Sequence, residues 1–308
     1  NRNFVSLDIR SINRTYRNDS GNMNLKDLQE DISKSINEND NSAIPEFEGY
    51  SLFEMQQILH FTFGENTPIV LQQLSDAEYE LIPILKQVKY LLALIDKAGE
   101  IKLTHKGFLP TKVVAVLYQQ KILKEDMIES GITKLSRESD SMTVTLTRIL
   151  IELSGLAKKR TGKLSLTKAG KKAMSDNFTL LKTIIETFGN RFNWPFFDGY
   201  AENKIGQFGY GFSLMLLSKY GQEKRLDSFY AIKYFKAFPD LLEQETPSRF
   251  ETQEVQAQSC YSLRTFDRFL EYFGLIIVAS TGGYSNGEKY ITKSELFDKL
   301  IKVSPHSQ

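Results

Sequence analysis

The chain has 308 residues and a net charge of +1, so it is long enough for about two or three domains and lacks the bulk charge that would attract a polyanion. Its single cysteine, Cys260, excludes an intrachain disulfide and fits a reducing compartment. No stretch approaches the roughly 18 consecutive apolar residues of a membrane-spanning helix, and no basic-then-apolar leader opens the chain. These features predict a cytoplasmic protein without a membrane partner.

Residues 1–49 are predicted to form a polar N-terminal extension. They are rich in asparagine and include the polar run SKSINENDNSA at 33–43. Composition of this kind buries too little apolar surface to form a core, although 25–36 could form one short amphipathic helix. From Tyr50 onward, apolar residues recur at three- and four-residue spacing, which predicts helices.

One pattern occurs three times in the helical part of the chain, at 90–107, 149–170 and 269–295. In each copy an apolar helix end is followed by a turn, a short strand, a tip, a second strand that ends in Thr, and a new helix. A Thr hydroxyl at this place can accept a hydrogen bond from a free amide of the next helix. The residues predicted to cap a helix in this way are Thr104, Thr167 and Thr292.

Helices closed by a two-stranded hairpin and a further helix resemble the winged-helix superfamily, most clearly over 141–174 and 259–301. The resemblance implies a mainly α fold with small β-hairpins (α+β), built from tandem winged-helix-like modules. The runs KLTHKGFLP, FGYGFSLMLLSKYG and FYAIKYFKAFP are also similar to a group of uncharacterised bacterial proteins, which implies no known activity. The predicted segments are the extension 1–49, a helical front segment or degenerate winged helix at 50–125, a winged-helix-like module at 126–187, an aromatic and glycine joint at 188–212, and a C-terminal winged-helix-like module at 213–308.

The middle copy carries a strongly basic hairpin around a turn at Thr161-Gly162. In winged-helix DNA binders one helix enters the major groove while the hairpin tip touches phosphates. The alternative is an ordinary solvated turn. In the middle copy, the helix in the position that would read bases is SMTVTLTRILIEL. It is apolar on two faces, which is typical of a helix buried between neighbours. The residues that the resemblance implies for phosphate contact are Lys158, Lys159, Arg160, Lys163 and Lys168.

The last copy has the opposite properties, because its hairpin tip STGGYSNGEK is nearly neutral and its helix SCYSLRTFDRFLEYF has a polar face. Arginines one helical turn apart suit bases and phosphates. A surface pair near Asp267 and Glu271 is an equally good interpretation. The DNA hypothesis requires this face and the basic hairpin to be exposed on the same side of the molecule. The residues predicted to project from the polar face are Tyr261, Arg264, Thr265 and Arg268.

The joint 188–212 allows three interpretations: a structural contact between modules, a pocket for a small apolar ligand or peptide, or a stacking platform for unpaired bases. Its glycines are in the order G-x-x-G-x-G, which differs from the dinucleotide-binding fingerprint. The residues that would line the pocket are Trp194, Phe197, Tyr200, Phe208 and Tyr210.

No catalytic site, metal site or cofactor is predicted. No two of the three histidines have ligand spacing, and neither a phosphate-binding loop nor a nucleophile elbow occurs. The favoured prediction is a DNA-binding winged-helix protein of a regulatory kind, with duplex DNA as its partner. The alternative is a non-catalytic protein-interaction scaffold built from the same modules.

Overall fold

The computed structural model describes residues 41–196, 198–245, 247, 251–281 and 287–306. Within these ranges helices are combined with small antiparallel sheets, so the predicted α+β fold class is confirmed. Most of the predicted extension, including the helix expected at 25–36, lies outside the described residues. The same holds for the tip of the last hairpin at 282–286.

The chain enters the fold through a short 3-10 turn at Pro45–Phe47, followed by α1 (Leu52–His60), β1 (Ile69–Leu71) and α2 (Asp76–Tyr79). Both helices begin with a capping box. The hydroxyl of Ser51 accepts a hydrogen bond from the amide of Glu54, whose carboxylate accepts one from the amide of Ser51. Ser75 and Glu78 repeat the arrangement in α2.

The first module covers residues 83–166 and is built around a three-stranded antiparallel sheet in the order β2-β4-β3. In its first helix, buried apolar residues recur at three- and four-residue spacing, so one face packs into the core. Its elements are α3 (Pro83–Ala98), β2 (Ile101–Lys102), α4 (Thr111–Tyr118), α5 (Asp126–Glu129), α6 (Met142–Leu153), β3 (Ala157–Arg160) and β4 (Lys163–Leu166).

Two helices, α7 (Lys168–Ala173) and α8 (Asn177–Asn190), and an irregular segment lead to the second module at 210–293. Its sheet has the order β5-β7-β6. Its elements are α9 (Tyr210–Tyr220), β5 (Arg225–Leu226), α10 (Asp227–Ala237), a 3-10 helix (Pro239–Gln244), α11 (Gln253–Ser262) continued by a π-helix (Leu263–Leu270), β6 (Ile276–Thr281) and β7 (Glu288–Lys293). The chain then forms α12 (Glu295–Leu300) and β8 (Ile301–Val303), and β8 pairs with β1.

The two modules share one order of elements: a helix, a short first strand, at least three further helical regions, and a hairpin whose second strand lies in the centre of the sheet. In the first module the central strand β4 pairs with β2, with Ile101 opposite Leu164. The predicted boundary between 50–125 and 126–187 therefore runs through a single sheet. Sequence periodicity missed this because β2 has only two residues, too few to show the alternation of a strand.

The predicted helix caps have different outcomes. Thr167 does cap the N-terminus of α7, because its hydroxyl accepts a hydrogen bond from the amide of Gly170 at 2.9 Å. Thr292 lies inside β7, and Ser294 begins α12 instead. Thr104 accepts a hydrogen bond from the amide of Phe108 within a loop, so it caps no helix.

The segment before α1 is attached to the second module through Glu48, which accepts hydrogen bonds from Lys219 at 2.8 Å, Lys233 at 2.7 Å and Tyr220. Burial alone would raise the pKa of Glu48. The three hydrogen bonds outweigh burial and hold the pKa at about 2, below the ordinary 4.5. Because the folded-state pKa is depressed, the stability that Glu48 provides is present above about pH 4.5 and is lost as the pH falls toward 2.

Replacing Glu48 by Gln is therefore expected to destabilise the protein at neutral pH and to have less effect in acid. The measurement is urea unfolding of both proteins at neutral pH and at several values below 4.5. The matched control is Glu46→Gln, which removes a more exposed carboxylate 3.8 Å from Lys236. A stability difference for Glu48→Gln that stays constant as the pH falls would contradict this assignment.

Candidate nucleic-acid interface

The basic hairpin of the first module turns through two residues with left-handed backbone angles. Thr161 has φ of 50° and Gly162 has φ of 72°, as a tight two-residue hairpin turn requires. The amide of Leu103 donates a hydrogen bond to the carbonyl of Gly162 at 2.8 Å, which ties the tip to the chain that follows β2. The tip of the hairpin is thus held against the neighbouring chain.

Three cations lie side by side across the sheet, because Lys102 is in register with Lys163 and Lys163 with Arg160. All three are exposed. Neighbouring strands lie about 4.8 Å apart, so the row spans about 10 Å. Like charges placed directly opposite each other destabilise a sheet. The row is therefore unfavourable for folding by itself.

The four hairpin cations predicted from the sequence do not share one face. Lys158 lies opposite Ser165 on the same outer side as Arg160, about 6.6 Å along the strand. Lys159 belongs to the other side, opposite buried Leu164, and its Nζ lies 3.4 Å from the carbonyl oxygen of Gly107. We call the outward set the basic face; it consists of Lys102, Lys158, Arg160 and Lys163.

The members of the basic face differ in their partners. Lys163 forms an ion pair with Glu100. Among the described residues, Lys158 and Arg160 have no acidic partner within 4.0 Å. Lys168, also predicted for phosphate contact, is exposed as the first residue of α7. Lys102 was absent from the predicted set because it lies in β2, which the sequence assigned to another segment.

The reading helix of the first module, α6, is buried along its length, as its doubly apolar pattern predicts. Arg148 is 9% exposed and donates from Nε to Glu138 at 2.6 Å, and its guanidinium also contacts Glu152. Glu138 accepts a further hydrogen bond from the amide of Leu109 at 2.6 Å. Burial raises the pKa of Glu138 despite these partners. This helix presents no free polar face to a DNA groove.

The prediction that Arg264 projects to solvent is wrong. Its side chain is 0% exposed, and its Nε donates to Asp198 at 2.5 Å, a carboxylate whose side chain is also 0% exposed. The guanidinium donates further to Oδ1 of Asn203 at 2.6 Å and to the carbonyl of Ala201 at 3.1 Å. Arg264 thus fixes the joint onto the second module.

The rest of the predicted reading face is buried as well. Tyr261 shares a 2.9 Å hydrogen bond with Ser213, and Arg268 donates to the carbonyl of Phe196 at 2.8 Å. Thr265 packs against Gly206, where an added Cβ would lie 2.9 Å from the threonine hydroxyl. The opposite face, with Phe266 and Phe269, is buried too, so the helix is enclosed on both sides. The predicted exposure of Tyr261, Thr265 and Arg268 is therefore also wrong.

The hairpin of the second module offers less free positive charge than the first. Lys289 pairs with Asp267 at 2.6 Å, and Lys293 pairs with Asp298 at 2.7 Å. The condition set by the sequence, that a polar helix face and the basic hairpin are exposed together, is therefore not met, and the hypothesis that the helix of the second module reads bases is wrong. Only phosphate contact by the hairpin of the first module remains as a hypothesis.

The aromatic joint is packed core over most of its described length. The indole of Trp194 donates to the carbonyl of Phe188 at 2.8 Å and lies 5.3 Å from the ring of Phe269. The space beside Trp194 and Arg264 does not admit a water-sized sphere.

The predicted pocket residues do not line one cavity, because their environments differ. Trp194 and Tyr210 are buried, Tyr200 is half-buried, and Phe208 is exposed against Phe238. Phe197 lies outside the described residues. Of the three interpretations of the joint, this packing favours a structural contact over a ligand pocket or a stacking platform.

The described residues contain neither a cluster of metal ligands nor a helix that could span a membrane. No three His, Cys, Asp or Glu side chains there converge as metal ligands do. None of the helices there is long and apolar enough to span a bilayer. Burial raises the pKa of the Cys260 thiol to about 12, so the lone cysteine stays protonated.

Residues 80–179 match the family model of the Y4jL N-terminal domain. The match covers 100 of 308 residues, about a third of the chain, and includes the whole first module. Comparison with the curated proteins and with the solved structures finds no match.

Proposed function

We propose that the protein binds nucleic acid through the basic face, contacting phosphates without reading bases. The observation that carries this proposal is the row of Lys102, Lys163 and Arg160 across three strands. A row of like charges costs stability, and a phosphate backbone is a partner that would relieve it. Duplex DNA is the partner that the winged-helix resemblance implies, because the hairpin of such modules touches phosphates.

The topology of both modules supports the resemblance to winged-helix proteins. Helix, strand, helices and hairpin follow one another in the same order, with the second hairpin strand central in each sheet. The helices in the reading position are buried, so direct readout of base edges has no surface on which to occur. Binding should then depend on salt and be nearly independent of sequence.

Replacing both Lys158 and Arg160 by Glu is expected to weaken duplex binding by at least about tenfold, because two phosphate contacts become repulsive. The fold should tolerate the change, since a glutamate in place of Arg160 would lie opposite Lys163 and form a favourable cross-strand pair. Fluorescence anisotropy of a labelled duplex at low and moderate salt measures the effect.

The matched control is the double variant Lys204→Glu, Lys302→Glu. It changes the net charge equally at two exposed lysines outside the first module. It should lose much less affinity than the basic-face variant. Equal losses in the two variants would contradict a role for the basic face.

A second candidate function is a protein-interaction scaffold. The observation that favours it is the exposure of two large apolar side chains, Met127 and Ile132, the second of which is 70% exposed. Both lie in one compact turn, in which the amide of Thr133 donates a hydrogen bond to the carbonyl of Met127. Exposed large apolar side chains commonly mark protein contacts. Two results together would favour this function over the first: no duplex binding at low salt, and a protein partner that binds the wild-type chain but not Ile132→Lys.

A further inference from the structure

A groove of about 480 Å³ runs along the outer face of α3, and no residue of the basic face lines it. Its volume is within the range of about 300–1,000 Å³ that small-molecule sites have. The floor is open because Ala93, an exposed position of the helix, carries only a methyl group. Ile122, in the chain after α4, and Met174, at the end of α7, supply apolar walls.

Two hydrogen-bond donors in this groove are unused. Lys86 is half-buried, yet within the described part of the chain its ammonium group has neither an acidic partner nor a hydrogen bond. Tyr90 lies one helical turn further on, about 6 Å away. Its hydroxyl accepts a hydrogen bond from Nε2 of Gln120 at 3.0 Å, so the position of the oxygen is fixed while its own proton remains available.

The remaining charges of the lining are balanced. Lys89 pairs with Glu80 at 3.0 Å, so the two lysines and one glutamate leave a net charge of +1, which belongs to Lys86. A half-buried ammonium group without a partner favours an anion, and the hydroxyl of Tyr90 can donate to the same anion. A purely inorganic ion would leave the apolar floor and walls of the groove without contact, so an organic anion fits better.

We propose that the groove on α3 binds a small organic anion that carries one carboxylate, sulfonate or phosphate group on an apolar ring or chain. Lys86 and Tyr90 bind the charged group, and the apolar body packs on Ala93 and between Ile122 and Met174. Gln120 is a positioning residue, because it holds the tyrosine hydroxyl in place. This proposal does not depend on nucleic-acid binding.

The test uses two fluorescent probes of nearly equal shape: anilinonaphthalene sulfonate, an organic anion, and N-phenylnaphthylamine, which lacks the sulfonate. The 308-residue chain is expected to bind one equivalent of the anion and to bind the neutral probe more weakly. Lys86→Gln should weaken binding of the anion by about tenfold, as expected when a hydrogen-bonded charge is lost, and leave the neutral probe unchanged.

Two further variants make the test specific to the groove. Ala93→Leu fills the floor without changing the charge and with little change in helix preference, so it should weaken binding of both probes. Lys97→Gln is the matched control, because Lys97 is an exposed lysine of α3 outside the groove, and it should change neither. No stoichiometric binding of the anion, or unchanged binding in both Lys86→Gln and Ala93→Leu, would overturn the proposal.

Discussion

Replacing Arg264 by Ala is expected to lower the free energy of unfolding by about 3–5 kcal/mol, the usual result of removing one partner of a buried ion pair. The side chains of Arg264 and Asp198 are both 0% exposed, so the variant leaves an uncompensated carboxylate inside the protein. Asn203 and the carbonyl of Ala201 lose their donor as well. Lysine should not rescue the loss, because its single ammonium group cannot reproduce the planar fork of the guanidinium.

Urea unfolding of four proteins measures this effect. Besides Arg264→Ala, they are Asp198→Ala, the double variant, and the exposed control Arg160→Ala, which should change stability by less than about 0.5 kcal/mol. The double variant should lose less than the sum of the two single losses, because the second change removes the unpaired charge that the first leaves behind. A loss below about 1 kcal/mol for Arg264→Ala would contradict the buried network.

Replacing Glu138 by Ala is expected to cost about 2–4 kcal/mol through the corresponding network of the first module. Its carboxylate accepts hydrogen bonds from Arg148 and from the amide of Leu109, and both donors would remain buried. The guanidinium keeps Glu152, so the loss should be smaller than that at Arg264.

The matched control for this second network is Glu152→Ala. Of the two carboxylates that pair with Arg148, Glu152 is the more exposed: 24% of its side chain is exposed, against 0% for Glu138. Its removal should therefore lower the free energy of unfolding by less. Urea unfolding measures both variants. The reverse order of losses would show that Glu138 is not the residue that holds α6 in place.

Taken together, the two networks explain why neither module offers a reading helix. In each, a buried arginine on that helix pairs with a carboxylate from a segment before it, Glu138 for α6 and Asp198 for the π-helix. The pairs attach the helices to the surrounding chain. Opening either helix to DNA would require breaking a buried charge pair, which costs several kcal/mol.

The fold class, the basic hairpin and its turn could be predicted from the sequence because they depend on local patterns. Hydrophobic spacing defines the long helices, and Gly162 marks the turn. The strand β2 could not be predicted this way, since its pairing with β4 joins residues about 60 positions apart and its two residues carry no periodic signal. For the same reason the sequence did not indicate that one sheet joins strands on the two sides of the predicted boundary at 125/126.

The candidate site was only partly predictable, because a polar helix face has the same sequence pattern whether it meets water or a buried carboxylate. Arg264 lies 66 residues after Asp198, and no local spacing indicates that pair. Lys102 became part of the basic face only through strand register.

The most direct test of the central claim is a salt titration of the wild-type protein on two DNA duplexes of unrelated sequence. Four phosphate contacts by Lys102, Lys158, Arg160 and Lys163 predict that log affinity falls with log salt at a slope of about −3.6. They also predict affinities for the two duplexes that agree within about twofold, since bases are not read. No binding at low salt, or a preference of about 100-fold for one duplex, would contradict the claim.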